Sequence, residues 1–153
     1  MSERRARPTK GARRPEEGCA FCKIASGKAP AWVVFEDEHA IAFLDTRPIA
    51  PGHVLVCPKS HSERLTEMED MTHLTAALKA VAHLVEERLA TDYNIGANQG
   101  ELAGQVVFHH HWHVIPRYKG EPRDFWSRRV LTDEMAREVL SKLGVPARKR
   151  GGE

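Results

Sequence analysis

The sequence predicts an α+β fold: an antiparallel sheet of about five strands, one long helix and a short C-terminal helix. Two observations carry this. Three apolar runs follow one another between residues 31 and 58, split only by short turn-forming segments, while two helical periodicities stand apart from them. Strands clustered away from helices favour α+β over an alternating parallel design. The runs are Ala31 to Glu36, Ile41 to Asp45 and His53 to Pro58, interrupted by Asp37-Glu38 and by the breaker-rich Pro48 to Gly52. Met71, Leu74, Leu78, Val81, Val85 and Leu89 then recur at the spacing of one buried helical face, with Thr66 and Glu69 placed as a capping box ahead of it. Two more strands are expected at Tyr93 to Asn98 and Val106 to Ile115, around the turn-forming Gln99 to Gly104. Thr132 to Leu143 carries Met135, Val139, Leu140 and Leu143 on one side and ends at Gly144 and Pro146, the pattern of a short capped helix.

A length of 153 residues fits one domain with a real core. Hydrophobic residues make up 41% and charged residues 29%, which excludes the composition of a disordered chain, and no apolar run is long enough to span a membrane. Residues 1–17 hold six Lys/Arg against three acids, about +3 of a total of +2, so the remainder is near −1. The basic excess therefore sits on a tail expected to be disordered, whereas a nucleic-acid reader carries it on its folded surface. No nucleic-acid or membrane partner is expected. That tail lacks the apolar core of a secretory signal, which points to the cytoplasm. The domain is expected at 18–144, with 145–153 as a second disordered tail.

Four of nine histidines fall within five residues: His109, His110, His111 and His113. In a strand, His109, His111 and His113 would line one face and Phe108, His110, Trp112 and Val114 the other. A terminal tag would lack the interleaved apolar residues, and three buried core histidines would each need hydrogen-bond partners, so chemistry is the better account. Such a cluster cannot be fully protonated at neutral pH, because like charges repel, and a neutral imidazole is an effective nucleophile.

The segment GQVVFHHHWHVIPR, from Gly104 to Arg117, resembles the signature of the histidine-triad family, alternating His with apolar residues, and CAFCKIASGKAPAWVVFEDEHAIAFLD and IAPGHVLVCPKSH precede it in the expected order. His110 departs from the pattern at an apolar position. The resemblance implies a HIT-like fold, a homodimer, and a hydrolase or transferase acting at a nucleoside α-phosphate. It implies His111 as the nucleophile that forms a covalent nucleotidyl-imidazole, and His113 as a stabiliser of phosphate charge. His53 would be a fourth active-site histidine and Gln105 a contact to phosphate or leaving group. Asp45 would grip the ribose hydroxyls, with a turn residue beside Arg47 and Pro48 as the alternative. Phe21, Ile24 and Phe43 match base-pocket positions, which apolar core residues also fill. Asn98 would complete the ribose and phosphate contacts, while Val106 offers only its backbone N–H.

Cys19-x-x-Cys22 is compatible with zinc, with redox chemistry or with neither. His61 and His109 are the candidate partners for a closed Cys₂His₂ zinc site, structural because no position stays open, and relatives hold zinc in this way. Cys57, within VLVCP, reads as a small buried hydrophobe. The basic residues Lys119, Arg123 and Arg128 after the triad could meet a longer polyphosphate, although a solvated loop is the plainer reading. Two further classes stay open: a nucleotide-binding module with little turnover, and a metallohydrolase using the histidines as catalytic zinc ligands.

Overall fold

The fold is described from a computed structural model, which covers residues 17–125 and 127–151; the basic segment 1–16 lies outside the described residues. Six strands form a single antiparallel sheet: β1 (Ala31–Glu36), β2 (Ala40–Leu44), β3 (Val54–Pro58), β4 (Tyr93–Gly96), β5 (Trp112–Pro116) and β6 (Lys149–Arg150). Their order is β4-β5-β3-β2-β1-β6. Three helices accompany them: α1 (Ala20–Ala25), α2 (Thr72–Arg88) and α3 (Asp133–Leu143). The α+β class with an antiparallel sheet is as the sequence predicts. No described helix is long and apolar enough to cross a membrane.

The period-2 alternation of the strands sorts the molecule into two sides. Trp32, Val34, Ala42, Leu44, Val54, Val56 and Val114 face Leu74, Ala77, Val81 and Val85 of α2 and Ala136, Val139, Leu140 and Leu143 of α3, forming the larger core. On the other side, Val33, Ile41, Phe43, Leu55 and Cys57 pack with Phe21 of α1. The larger core anchors the sheet, so the opposite side can carry polar groups without undoing it. Cys57 is fully buried, as a small hydrophobe should be, and burial pushes its thiol pKa up.

Four local expectations need correction. The helix after residue 71 is not opened by Thr66 and Glu69: residues 65–67 form a 3₁₀ turn, and Asp70 Oδ1 instead accepts the N–H of Thr72 at 2.8 Å. A carboxylate two residues before the first turn is the nearer acceptor. The strand expected over 106–115 begins only at Trp112, because the backbone of 105–111 is diverted: His110 N–H donates to Ser62 O at 2.6 Å. The chain after 144 is not free of structure, since Lys149 and Arg150 pair with Trp32 and Ala31. Arg150 is held by an ion pair with Glu36, which Lys59 also meets. Finally, residues 20–25, to which the sequence pattern assigns no element, form α1. Cys19 caps it, its Sγ accepting the Cys22 N–H at 3.4 Å, a role that Asp or Ser usually fills.

The C-terminal helix matches closely. Thr132 Oγ1 accepts the N–H of Met135 at 3.2 Å, and Gly144 ends the helix in the left-handed region at φ +71°. Gly52, at φ +87°, turns the chain into β3, and a Cβ there would stand 2.5 Å from Leu89 Cδ1.

Candidate active site and cysteine-histidine knot

The histidine segment divides into two constellations. The first is a buried knot joining α1, the loop after β3 and the approach to β5. Cys19 Sγ, Cys22 Sγ, His61 Nδ1 and His109 Nδ1 offer one ligand atom each, all within 4.8 Å of one another. His109 Nδ1 lies 3.4 Å from both thiols, and His61 Nδ1 lies 3.3 Å from Cys22 Sγ. Zinc bonded to sulfur at about 2.3 Å and nitrogen at about 2.0 Å in a tetrahedron would set such edges near 3.5 Å, so the donor set fits zinc in type, number and spacing. The tautomer fits as well. His109 Nε2–H donates to Pro58 O at 2.7 Å, leaving the Nδ1 lone pair towards the thiols. Burial lowers the His109 pKa to about 4, with neighbouring histidines adding to the shift, so the ring is neutral as a ligand must be.

The second constellation opens onto a cavity of about 700 Å³, within the size range of small-molecule sites. His111 and His113 line it, together with Phe21, Ile24, Phe43, Asp45 and Asn98. The hydrogen bonds determine where each proton resides. His111 Nδ1 is 2.7 Å from His109 O, a pure acceptor, so Nδ1 carries the hydrogen and Nε2 keeps its lone pair. The Ile49 N–H donates to His53 Nδ1 at 3.1 Å, so the hydrogen of neutral His53 is on Nε2, which donates to His113 Nδ1 at 2.9 Å. His113 must then carry its own hydrogen on Nε2. The two cavity histidines thus differ: His111 offers a lone pair and His113 a donor. Burial lowers the pKa of His111, and lowers that of His113 to about 4 with His111 adding repulsion. Burial likewise depresses His53, only partly opposed by Asp45.

Asp45 is a turn residue that also faces the cavity. Its Oδ1 accepts the Arg47 N–H at 2.8 Å, as a turn residue does, while the buried carboxylate still borders the cavity. Phe21 and Phe43 meet edge to face at 5.2 Å, and Phe21 meets the His111 ring at 4.9 Å, so they are core and cavity wall together. Gln105 is not brought to the cavity. Its Oε1 accepts the Gly100 N–H at 2.7 Å and its Nε2 donates to Glu63 O at 2.8 Å, so the amide is spent on tying the 99–105 loop. His110 points away and accepts from Gln99 Nε2 at 3.2 Å, beside Trp112. Arg128 is an exposed loop residue, as the sequence suggests, but it also lines the cavity and pairs with Asp45 Oδ2 at 3.2 Å. Nothing in the local pattern around Arg128 signals this, because the contact joins positions 83 apart in the chain.

Residues 26–120 match the HIT domain family model. The chain belongs to the HIT, or histidine-triad, family. An uncharacterized HIT-like protein of Methanocaldococcus jannaschii is 52% identical over 106 residues, covering 67% of this chain and 81% of that protein. Among solved structures, a Zn-bound histidine triad family protein from Mycobacterium smegmatis superposes with a TM-score of 0.68 at 38% identity, over 83% of this chain and 94% of that one. A hypothetical histidine triad nucleotide-binding protein from Sulfolobus tokodaii gives a TM-score of 0.73 at 32% identity, over 82% and 89%. Membership of the HIT family supports a nucleotide-binding hydrolase or transferase in general terms.

Proposed function

We propose that this HIT protein hydrolyses or transfers at a nucleoside α-phosphate through a covalent nucleotidyl group on His111, with nucleoside phosphoramidates or dinucleoside polyphosphates as substrates. The observation that carries the reading is the paired tautomers on one cavity: a lone pair on His111 Nε2 and a hydrogen on His113 Nε2. In the first step the lone pair forms an N–P bond while the P–O or P–N bond to the leaving group breaks, its electrons departing with that group; an amine leaving group takes a proton from solvent as it departs. The imidazole then bears positive charge, which the His109 carbonyl stabilises through Nδ1–H. His113 Nε2–H donates to phosphoryl or bridging oxygen, where negative charge grows. In the second step water adds to phosphorus, loses its proton to solvent, and the N–P bond breaks to restore the lone pair.

Asp45 accepts from the ribose hydroxyls, Asn98 completes the ribose and phosphate contacts, and Phe21, Ile24 and Phe43 bound the base. His53 holds the tautomer of His113. Gln105 enters as the tie of the loop beside the phosphate rather than as a contact to it. Cys19, Cys22, His61 and His109 would hold zinc, which in a closed four-ligand site supplies folding energy and fixes His109. A homodimer in the cytoplasm completes the reading; the outer edge of β4, with Ile95 exposed, is a face a second copy can cover.

A metallohydrolase is the second reading, because ligand atoms of Asp45, His53 and His113 also lie within 4.8 Å of one another. Steady-state hydrolysis of adenosine 5′-phosphoramidate by the wild type, His111→Asn and chelator-treated protein separates the readings. Covalent catalysis expects loss on substitution and early insensitivity to chelator; a catalytic metal expects inhibition in proportion to metal removed.

A further inference from the structure

Arg128 acts at a point where one hydrogen has two acceptors. Its Nη1 donates to Asp45 Oδ2 at 3.2 Å and to Arg47 O at 2.8 Å. The segment that carries it is fixed to the turn after β2, Arg129 N–H donating to Pro48 O and Leu131 N–H to Thr46 O, each at 2.9 Å. The oxygen that Arg128 holds is also the one 3.5 Å from His53 Nε2. His53 Nε2 therefore faces Asp45 Oδ2 and, at 2.9 Å, His113 Nδ1, and it carries a single hydrogen because Nδ1 is taken by the Ile49 N–H.

Which acceptor receives that hydrogen decides the tautomer of His113. Given to His113, it keeps Nδ1 as an acceptor and leaves Nε2–H on the cavity. Given to Asp45, it releases Nδ1, and the His113 ring can carry its hydrogen there, away from the phosphate. A carboxylate is by charge the stronger acceptor, and this one is only 10% exposed, so its claim is not diluted by solvent.

We propose that Arg128 is a positioning residue for His113: by occupying and neutralising Asp45 Oδ2 it leaves His113 as the acceptor of the His53 hydrogen, and so keeps the His113 donor aimed at the substrate. The inference rests on the role given above to His113. It also assigns a function to a part of the chain outside the matched family segment, residues 26–120.

The test uses the full-length protein, isotopically labelled at histidine, in imidazole nitrogen correlation spectra near neutral pH without ligand, for wild type, Arg128→Ala and Arg128→Lys. Wild type is expected to show His113 in the Nε2–H form. Arg128→Ala is expected to mix or reverse the tautomer and to lower kcat on adenosine 5′-phosphoramidate about tenfold, less than the ~10²-fold or more that outright loss of a positioned proton donor costs, with KM nearly unchanged. Arg128→Lys, which keeps charge and a donor, is expected to restore both in part. Should Arg128→Ala fail to fold, Arg128→Gln takes its place with the same readouts. An unchanged His113 tautomer, an altered tautomer without loss of kcat, or a rise in KM alone would overturn the proposal. If the wild type turns over no phosphoramidate, the reaction assigned above fails, while the tautomer comparison still decides what Arg128 does.

Discussion

His109 and His111 are two residues apart and both buried, yet their surroundings turn their lone pairs to different places. The His109 ring gives its Nε2–H to a backbone carbonyl and turns its lone pair into a closed set of two thiols and His61. The His111 ring gives its Nδ1–H to a carbonyl and turns its lone pair onto a cavity. That carbonyl belongs to His109. One residue therefore joins the two regions, its ring tied into the knot and its backbone orienting the His111 ring, the proposed nucleophile. Imidazole chemistry alone distinguishes nothing here; the direction of the lone pair, and what faces it, decides between holding and reacting.

Replacing His111 by Asn should break this comparison most severely. Turnover of adenosine 5′-phosphoramidate is expected to fall at least about 10³-fold, as for removal of a nucleophile, with nucleotide binding retained by isothermal titration. Replacing Cys22 by Ser strikes the other region. Metal bound per chain, measured by plasma emission, should drop to near zero and thermal stability should fall, by several kcal/mol if the site contributes like other structural zinc sites, while kcat of the protein still folded changes little. His113→Ala sharpens the catalytic side: kcat is expected to fall about 10²-fold, within the range for a positioned proton donor, and the adduct on His111 should still form slowly.

Asp45→Asn retains the shape but loses the charge. Weakening a charged hydrogen bond of about 1.5–3 kcal/mol should raise KM about tenfold or more for a ribose nucleotide, with a smaller effect on the 2′,3′-dideoxy analogue. The smallest effect expected is on pH. His53 and His113 have folded pKa values below the ordinary 6.5, His113 at about 4, chiefly through burial. Lowered values mean that the unfolded chain binds more protons between the folded value and 6.5, so stability is full above about 6.5 and is lost as pH falls towards 4. Urea midpoints should decline across that window by something on the order of 2 kcal/mol, and His113→Phe should flatten part of the slope.

Much of this was legible in the sequence where local chemistry repeats. The periodicity of α2, the Thr132 and Gly144 ends of α3 and the breaker-bounded apolar runs of β1 to β3 follow from residue spacing, and the Cys19-x-x-Cys22 pair marked a candidate metal site. The illegible parts depend on contacts distant in the chain. Cys19 as a helix cap hides behind its role as a thiol, and the diversion of residues 105–111 out of the sheet depends on Ser62 O taking the His110 N–H. Gln105 looks like a substrate contact until its amide is seen committed to Gly100 and Glu63. Lys149 and Arg150 resemble a charged tail until Glu36 and the edge of β1 are placed beside them.

The most direct test of the central claim is intact mass spectrometry after rapid mixing with adenosine 5′-phosphoramidate and a quench without acid, wild type against His111→Asn. A transient gain of one adenylyl group in the wild type, absent from the variant, is the expected result. Turnover without any adduct, surviving the substitution, would contradict covalent catalysis at His111 and leave the metal-based reading standing.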